Sequence, residues 1–183
     1  RWAYNAPILT GKPLVPKSVS SMTSILRGLA GQGYNVASTN WRPPREWSQQ
    51  QYLDVIHAAE QAGIQLMPWM GWSASSIQKV VGWIYQNPAI WGWYSHDEPL
   101  AGGATIQNQE EVYNALKQYD PHRRPVVTTF TNARSEDWAR AWAPHTFDIA
   151  AFDLYPYAMS PGDPEYYLTY WANRLFIILH RRR

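Results

Sequence analysis

Three features of the 183-residue chain predict an α/β fold, a (β/α)8 TIM-type barrel that is incomplete at about six to seven βα units. Short apolar runs alternate with helical patterns along the whole length, which implies parallel strands joined by right-handed crossovers. No glycine-rich phosphate turn, neither GxGxxG nor GxxxxGK followed by Ser or Thr, marks a doubly wound nucleotide-binding sheet. The chain is also shorter than the roughly 250 residues a complete barrel takes. The expectation is a single barrel domain over residues 1–183, lacking its C-terminal part and stopping in or just after a seventh strand.

Residues 12–19 are expected as a first strand, interrupted by Pro13 and Pro16, and residues 20–29 as a helix closed by Gly31 and Gly33. Residues 34–39 read as strand two. The next helix is better marked, because Ser48 with Gln51 makes a capping box, Leu53, Ile56 and Ala59 share a face, and Gly63 ends it. Residues 64–70 form strand three. A helix comes next with Ile77, Val80, Val81 and Ile84 at i, i+3, i+4, i+7, stopped before Pro88. Residues 90–95 are strand four. Asn108 with Glu111 is read as the opening of the next helix, with Val112, Leu116 and Tyr119 on one side. Residues 124–130 are strand five, 135–142 a short helix, and 147–155 strand six. Asp163-Pro164 starts a last helix to about residue 174, and residues 175–179 begin strand seven.

Composition narrows the function classes. Net charge is +2, partly from Arg181, Arg182 and Arg183, so no basic patch argues for nucleic acid. No window approaches about 18 uninterrupted apolar residues, so no membrane span is expected. Cysteine is absent, which excludes disulfides and thiolate zinc sites. The 11 tryptophans and 12 tyrosines supply many flat faces with polar edges. The chain opens at Arg1 with neither an initiator Met nor a signal peptide, as a mature or partial product would.

In a parallel barrel the working groups sit where strands end. Strand two ends in Asn40, Trp41 and Arg42, and strand three in Trp69 with Trp72 beyond. Strand four ends in His96, Asp97 and Glu98, strand five in residues 129–132, and strand six in Asp153, Tyr155 and Tyr157. The opposite face shows little more than Gly, Pro and Asn turn residues. Regular alternation places Glu98, His96 and Tyr94 on one side with Gly92 and Ile90, and Asp153 and Tyr155 on one side with Ala151 and Ile149.

Acid/base chemistry at such an edge asks for two carboxylates, one to donate a proton and one to act as nucleophile or base. Glu98 with Asp153 is the best available pair. Trp41, Trp69 and Trp72 are candidate flat platforms, and Asn40, Arg42 and Asn132 candidate hydroxyl binders. His96, Asp97, Tyr155 and Tyr157 complete the substrate-binding set. No His-x-x-His or Glu-x-x-His accompanies His96, so neither a metal nor a cofactor is expected.

The stretch NPAIWGWYSHDEP, residues 87–99, resembles the fourth-strand segment of (β/α)8 glycoside hydrolases of the large retaining clan, particularly members with Trp-Gly-Trp-Tyr-x-x-Asp-Glu-Pro. FDIAAFDLYPY is similar to the sixth strand of that group, and LTGKPLVPKS is a weaker echo of its opening strand. The resemblance implies Glu98 as general acid/base. Asp97 stands where much of the clan has Asn. The clan's nucleophile is usually a glutamate ending strand seven, and no acidic residue comes after Glu165 here.

The leading expectation is therefore a glycoside hydrolase acting on a poly- or oligosaccharide, secreted or extracytoplasmic by analogy with the group. A non-catalytic carbohydrate-binding barrel is the alternative. An aldolase ranks last, since that chemistry wants a buried lysine and Lys12, Lys17, Lys79 and Lys117 fall on loops, an edge or helices. An open barrel leaves strand edges unpaired, so self-association is expected through them.

Overall fold

The computed structural model describes residues 2–3, 19–39, 48–70, 74–99, 103–131 and 145–153. Their elements run β1 (Trp2–Ala3), α1 (Val19–Gly31), β2 (Val36–Thr39), α2 (Gln49–Ala62), β3 (Gln65–Pro68), α3 (Ala74–Ile84), β4 (Trp93–Asp97), α4 (Ile106–Tyr119), β5 (Val126–Thr131) and β6 (Ile149–Asp153). The expected elements at 135–142, 163–174 and 175–179 lie outside the described residues.

All strand pairings are parallel and keep chain order. One ladder joins β1, β2 and β3, and a second joins β4, β5 and β6. Two isolated bridges, Leu66 to Ile90 and Trp69 to Tyr94, link the ladders, also in parallel. The result is an arc of six consecutive parallel strands with intervening helices. Among the described residues it does not close into a barrel.

The helices are specified locally. The Ser48–Gln51 capping box forms as expected, with Gln51 N–H on Ser48 Oγ at 3.3 Å and Ser48 N–H on Gln51 Oε1 at 2.8 Å. Such a cap is worth about 1 kcal/mol. Gly63 ends α2 in the left-handed region at φ 69, a conformation that suits glycine. The buried face of α2 is Tyr52, Val55, Ile56, Ala58, Ala59 and Ala62, while Leu53 is only part-buried. Ile77, Val80, Val81 and Ile84 are the buried stripe of α3, as their spacing predicts.

Two expectations are corrected. The first strand is Trp2–Ala3, paired with β2, and Val19 already belongs to α1; residues 12–18 lie outside the described set. The N-cap of α4 is Thr105, not Asn108. Asn108 is the third helical residue, its N–H donating to Thr105 Oγ1 at 3.1 Å. Both residues are good caps, and the Thr105 box satisfies donors one turn earlier.

The strands separate two apolar layers. Ala37, Leu66, Ile90, Trp93 and Val126 face the helices, in one core with the buried faces of α1 to α4. Met67, Tyr94 and Val127 form a second cluster on the other side, with Val36, Trp69, Trp91 and Ala151 packed against it. That second cluster is the inner face of the arc.

Candidate active site

Parallel strands place all their C-terminal ends along one edge. Trp69 comes directly after β3, Asp97 ends β4 with Glu98 next, Thr131 ends β5 and Asp153 ends β6. The structure thus brings together five of the sequence-expected positions: Trp69, His96, Asp97, Glu98 and Asp153. Asn40, Trp41, Arg42, Trp72, Asn132, Tyr155 and Tyr157 lie outside the described residues. Asp153 is placed by its backbone, opposite Thr131 in a β5–β6 ladder without register shift. Strand spacing puts it about 10 Å laterally from β4, two strands away.

The end of β4 is not a regular strand. Tyr94 pairs with Val127 and His96 with Thr128, so three residues of β4 span two of β5, a β-bulge centred on Ser95. Ser95 is fully buried and its hydroxyl lies 3.1 Å from the Val127 carbonyl and 2.6 Å from Thr128 Oγ1. These bonds fill the gap left in the ladder. Upstream, Ile90 faces the helices whereas Tyr94 faces inward. Counting by twos from Ile90 to Glu98 therefore fails. The physical reason is irregular backbone before Trp93 and the bulge after Tyr94, each of which resets the alternation.

Gly92 marks the upstream irregularity. A Cβ there would come within 2.8 Å of the Pro125 carbonyl oxygen, so only glycine permits the close approach that lets Trp93 N–H bond that oxygen at 2.9 Å.

Glu98 adopts φ 45, the left-handed region that non-glycine residues seldom occupy. Its N–H donates to the Thr129 carbonyl at 3.0 Å, holding this conformation against β5. Its side chain is half-buried and Pro99 behind it is buried. A bulge at Ser95, two paired residues and then a left-handed residue turn the chain and re-aim the side chain, and such irregularities recur beside active sites.

His96 is the second chemical feature. Its ring lies 6.3 Å from the Trp69 ring at 58°, and Trp69 packs against the inner cluster, so the imidazole is on the inner side of the arc. Its Nδ1 is buried and has no hydrogen-bond partner among the described residues. Burial lowers its pKa to about 4, so the ring is neutral at neutral pH. A neutral imidazole offers one N–H donor and one acceptor nitrogen. Among the described residues, no group of three or more His, Asp or Glu is placed to hold a metal ion.

The opposite edge is richer than its turn-like sequence suggests. Asp120, 1% exposed, accepts from Trp93 Nε1 at 2.8 Å, from the Arg124 N–H and Nη1 at 2.9 Å each, and from the His122 N–H at 3.1 Å. Arg124 Nε also donates to the Ile90 carbonyl at 2.9 Å. Nothing in the local sequence announces this network, because its partners are up to 37 residues apart.

No family model matches the sequence, and no curated protein sequence matches it. Solved structures do match in fold. A β-glucuronidase from Bifidobacterium dentium, complexed with coumarin-3-O-glucuronide, superposes over 85% of this chain with a TM-score of 0.57 and 13% identity. A β-glucuronidase from Ruminococcus gnavus, in complex with uronic deoxynojirimycin, superposes over 75% with a TM-score of 0.51 and 11% identity. The chain spans 28% and 25% of those two chains, about a quarter of their length. What the chain shares with part of each of these two structures is thus the fold, a run of parallel βα units.

Proposed function

We propose that this chain carries part of the active site of a glycoside hydrolase that cleaves O-glycosidic bonds of a poly- or oligosaccharide, with Glu98 as proton donor. The observation that carries the reading is Glu98 itself. It is a carboxylate held at φ 45 directly after a bulged strand, on the C-terminal edge of a glycosidase-like fold. Backbone strain of this kind is retained where a side chain has to be aimed.

In the proposed reaction Glu98 protonates the leaving oxygen as the glycosidic bond breaks. Asp153, at the tip of β6, is the second carboxylate within the chain and acts on the anomeric centre, directly or through water. Trp69 offers a flat face to a sugar ring, and neutral His96 a hydrogen bond to a hydroxyl. The Glu98→Gln variant tests the reading. It keeps size and hydrogen bonding but cannot donate a proton, so hydrolysis falls by roughly 100-fold or more while the melting temperature is unchanged. Full hydrolysis by the variant overturns the assignment of Glu98. Sugar binding by the wild type without any turnover favours the non-catalytic carbohydrate-binding reading instead.

A further inference from the structure

The inner face of the arc is layered. Its lower layer is apolar, with Val36 of β2, Met67 of β3, Tyr94 of β4 and Val127 of β5 in one cluster. Two residues further toward the C-terminal edge, β2, β4 and β5 carry Ser38, His96 and Thr129. Ser38 pairs in register with Met67 and Thr129 with Ala151, both in the inner cluster, and His96 reaches the same side through Trp69. Polar side chains thus lie past the apolar floor on β2, β4 and β5, toward the strand ends where Glu98 sits.

Those side chains have an unusual property. Ser38 and Thr129 are 1% and 3% exposed, yet Ser38 Oγ, Thr129 Oγ1 and His96 Nδ1 all lack a hydrogen-bond partner among the described residues. Within the same set the other such atoms are the two amide atoms of Gln109, on α4. Buried polar atoms are nearly always paired, because leaving one unpaired forfeits its hydration without replacement. Elsewhere on β4 and β5 the rule holds, since Ser95 and Thr128 satisfy each other at 2.6 Å. Three of the five exceptions lie on the inner side of the strands, near their C-terminal ends.

We propose that Ser38, His96 and Thr129 form a hydroxyl-binding wall, taking a neutral sugar ring whose hydroxyls pair with Ser38 Oγ, His96 Nδ1 and Thr129 Oγ1 while Trp69 flanks it. The ligand class rests on the glycosidase reading, but binding is separable from turnover. The donor and acceptor inventory favours a neutral polyol over an anion. Serine and threonine hydroxyls both donate and accept, and burial keeps the imidazole uncharged, with one donor and one acceptor nitrogen. Sugar hydroxyls have the same dual character, whereas a carboxylate only accepts.

The test compares the wild type with a Ser38→Ala/Thr129→Val double variant, using glucose, galactose and glucuronic acid as probes in calorimetry and thermal melting. The wild type is expected to bind glucose or galactose, and the double variant about tenfold more weakly, the loss of two neutral hydrogen bonds. The empty double variant is expected to melt at or above the wild-type temperature, because the deleted hydroxyls have no partner to lose. Equal affinity of the two proteins overturns the proposal. So does a lower melting temperature of the empty variant, a preference for glucuronic acid, or failure of the wild type to bind any probe. Glu98-dependent hydrolysis with sugar binding unchanged in the double variant preserves the enzyme reading and overturns the wall. Weakened binding by the variant without wild-type turnover preserves the wall and overturns the enzyme reading.

Discussion

The two ends of β4 and β5 are built on opposite terms. At the N-terminal end, Trp93, Asp120, Arg124, Lys117, Asp148 and Tyr113 are tied together. Lys117 pairs with Asp148 and donates to the Arg124 carbonyl at 3.0 Å, and Asp148 accepts from the Val126 N–H at 2.7 Å. Tyr113 donates to Asp148 at 2.9 Å, and its pKa is pushed up to about 12 by burial, with the Asp148 hydrogen bond and charge adding to it. At the C-terminal end, a few residues along the same strands, a bulge breaks the register and Glu98 sits at positive φ. There His96 and Thr129 keep buried atoms with no partner among the described residues. One end turns its polar groups on each other; the other buries polar atoms with no partner among the described residues. In parallel barrels stability and chemistry separate in the same way, bottom from top.

The largest effect that would undo this contrast is at Asp120. Asp120→Ala leaves the Arg124 guanidinium without its carboxylate and the Trp93 indole N–H without an acceptor, and is expected to lower unfolding free energy by about 3–5 kcal/mol in urea titrations. Sugar binding per folded molecule is expected to be unchanged. A loss below about 1 kcal/mol would show that the lower network is ornamental.

Next in size is the pH response of His96. Its folded pKa lies below the unfolded value of 6.5, so between about 4 and 6.5 the unfolded chain binds more protons than the folded one. Stability therefore rises with pH through that window, by up to about 3 kcal/mol for this group. His96→Asn is expected to flatten the slope of melting temperature against pH from 4 to 6.5. An unaltered slope would mean that the imidazole is not held neutral at the mouth.

Smaller effects refine the contrast. Gly92→Ala forces a Cβ to within 2.8 Å of the Pro125 oxygen, with an expected loss of about 1–3 kcal/mol, because backbone has to move. Glu98→Gly goes the other way. Relief of the left-handed strain is expected to stabilise the fold by up to about 1 kcal/mol while the proposed hydrolysis is lost, a trade that thermal melting and a glycoside assay read together.

Much of the frame was legible in the residues. The Ser48 capping box, the Gly63 stop, the stripe of Ile77, Val80, Val81 and Ile84, and the alternation of strands and helices depend on neighbours a few positions apart. The crowding of Trp69, His96, Asp97, Glu98 and Asp153 along one edge was legible too, because parallel strands deliver their ends to the same side. The bulge at Ser95 was not, since the hydroxyls that stitch it meet across 33 residues. Thr129 appeared among the strand ends but Ser38 did not enter the candidate set. A small hydroxyl residue two positions past an inward valine, in Val36–Ser38 and Val127–Thr129, was the available signal.

Residue order alone fixed helices α1 to α4 and strands β2 to β6 to within a few residues, where α2 starts and stops, and that carboxylates and aromatic rings arrive at strand ends. Those choices are local, set by periodicity, caps and glycine. It took the assembled fold to turn Ile90 and Tyr94 toward opposite layers, to anchor the lower end on Asp120, and to bring Ser38, His96 and Thr129 to the inner side near the strand ends. Those facts depend on register between strands, which irregular backbone before Trp93 and a bulge at Ser95 shift in ways that counting residues does not show.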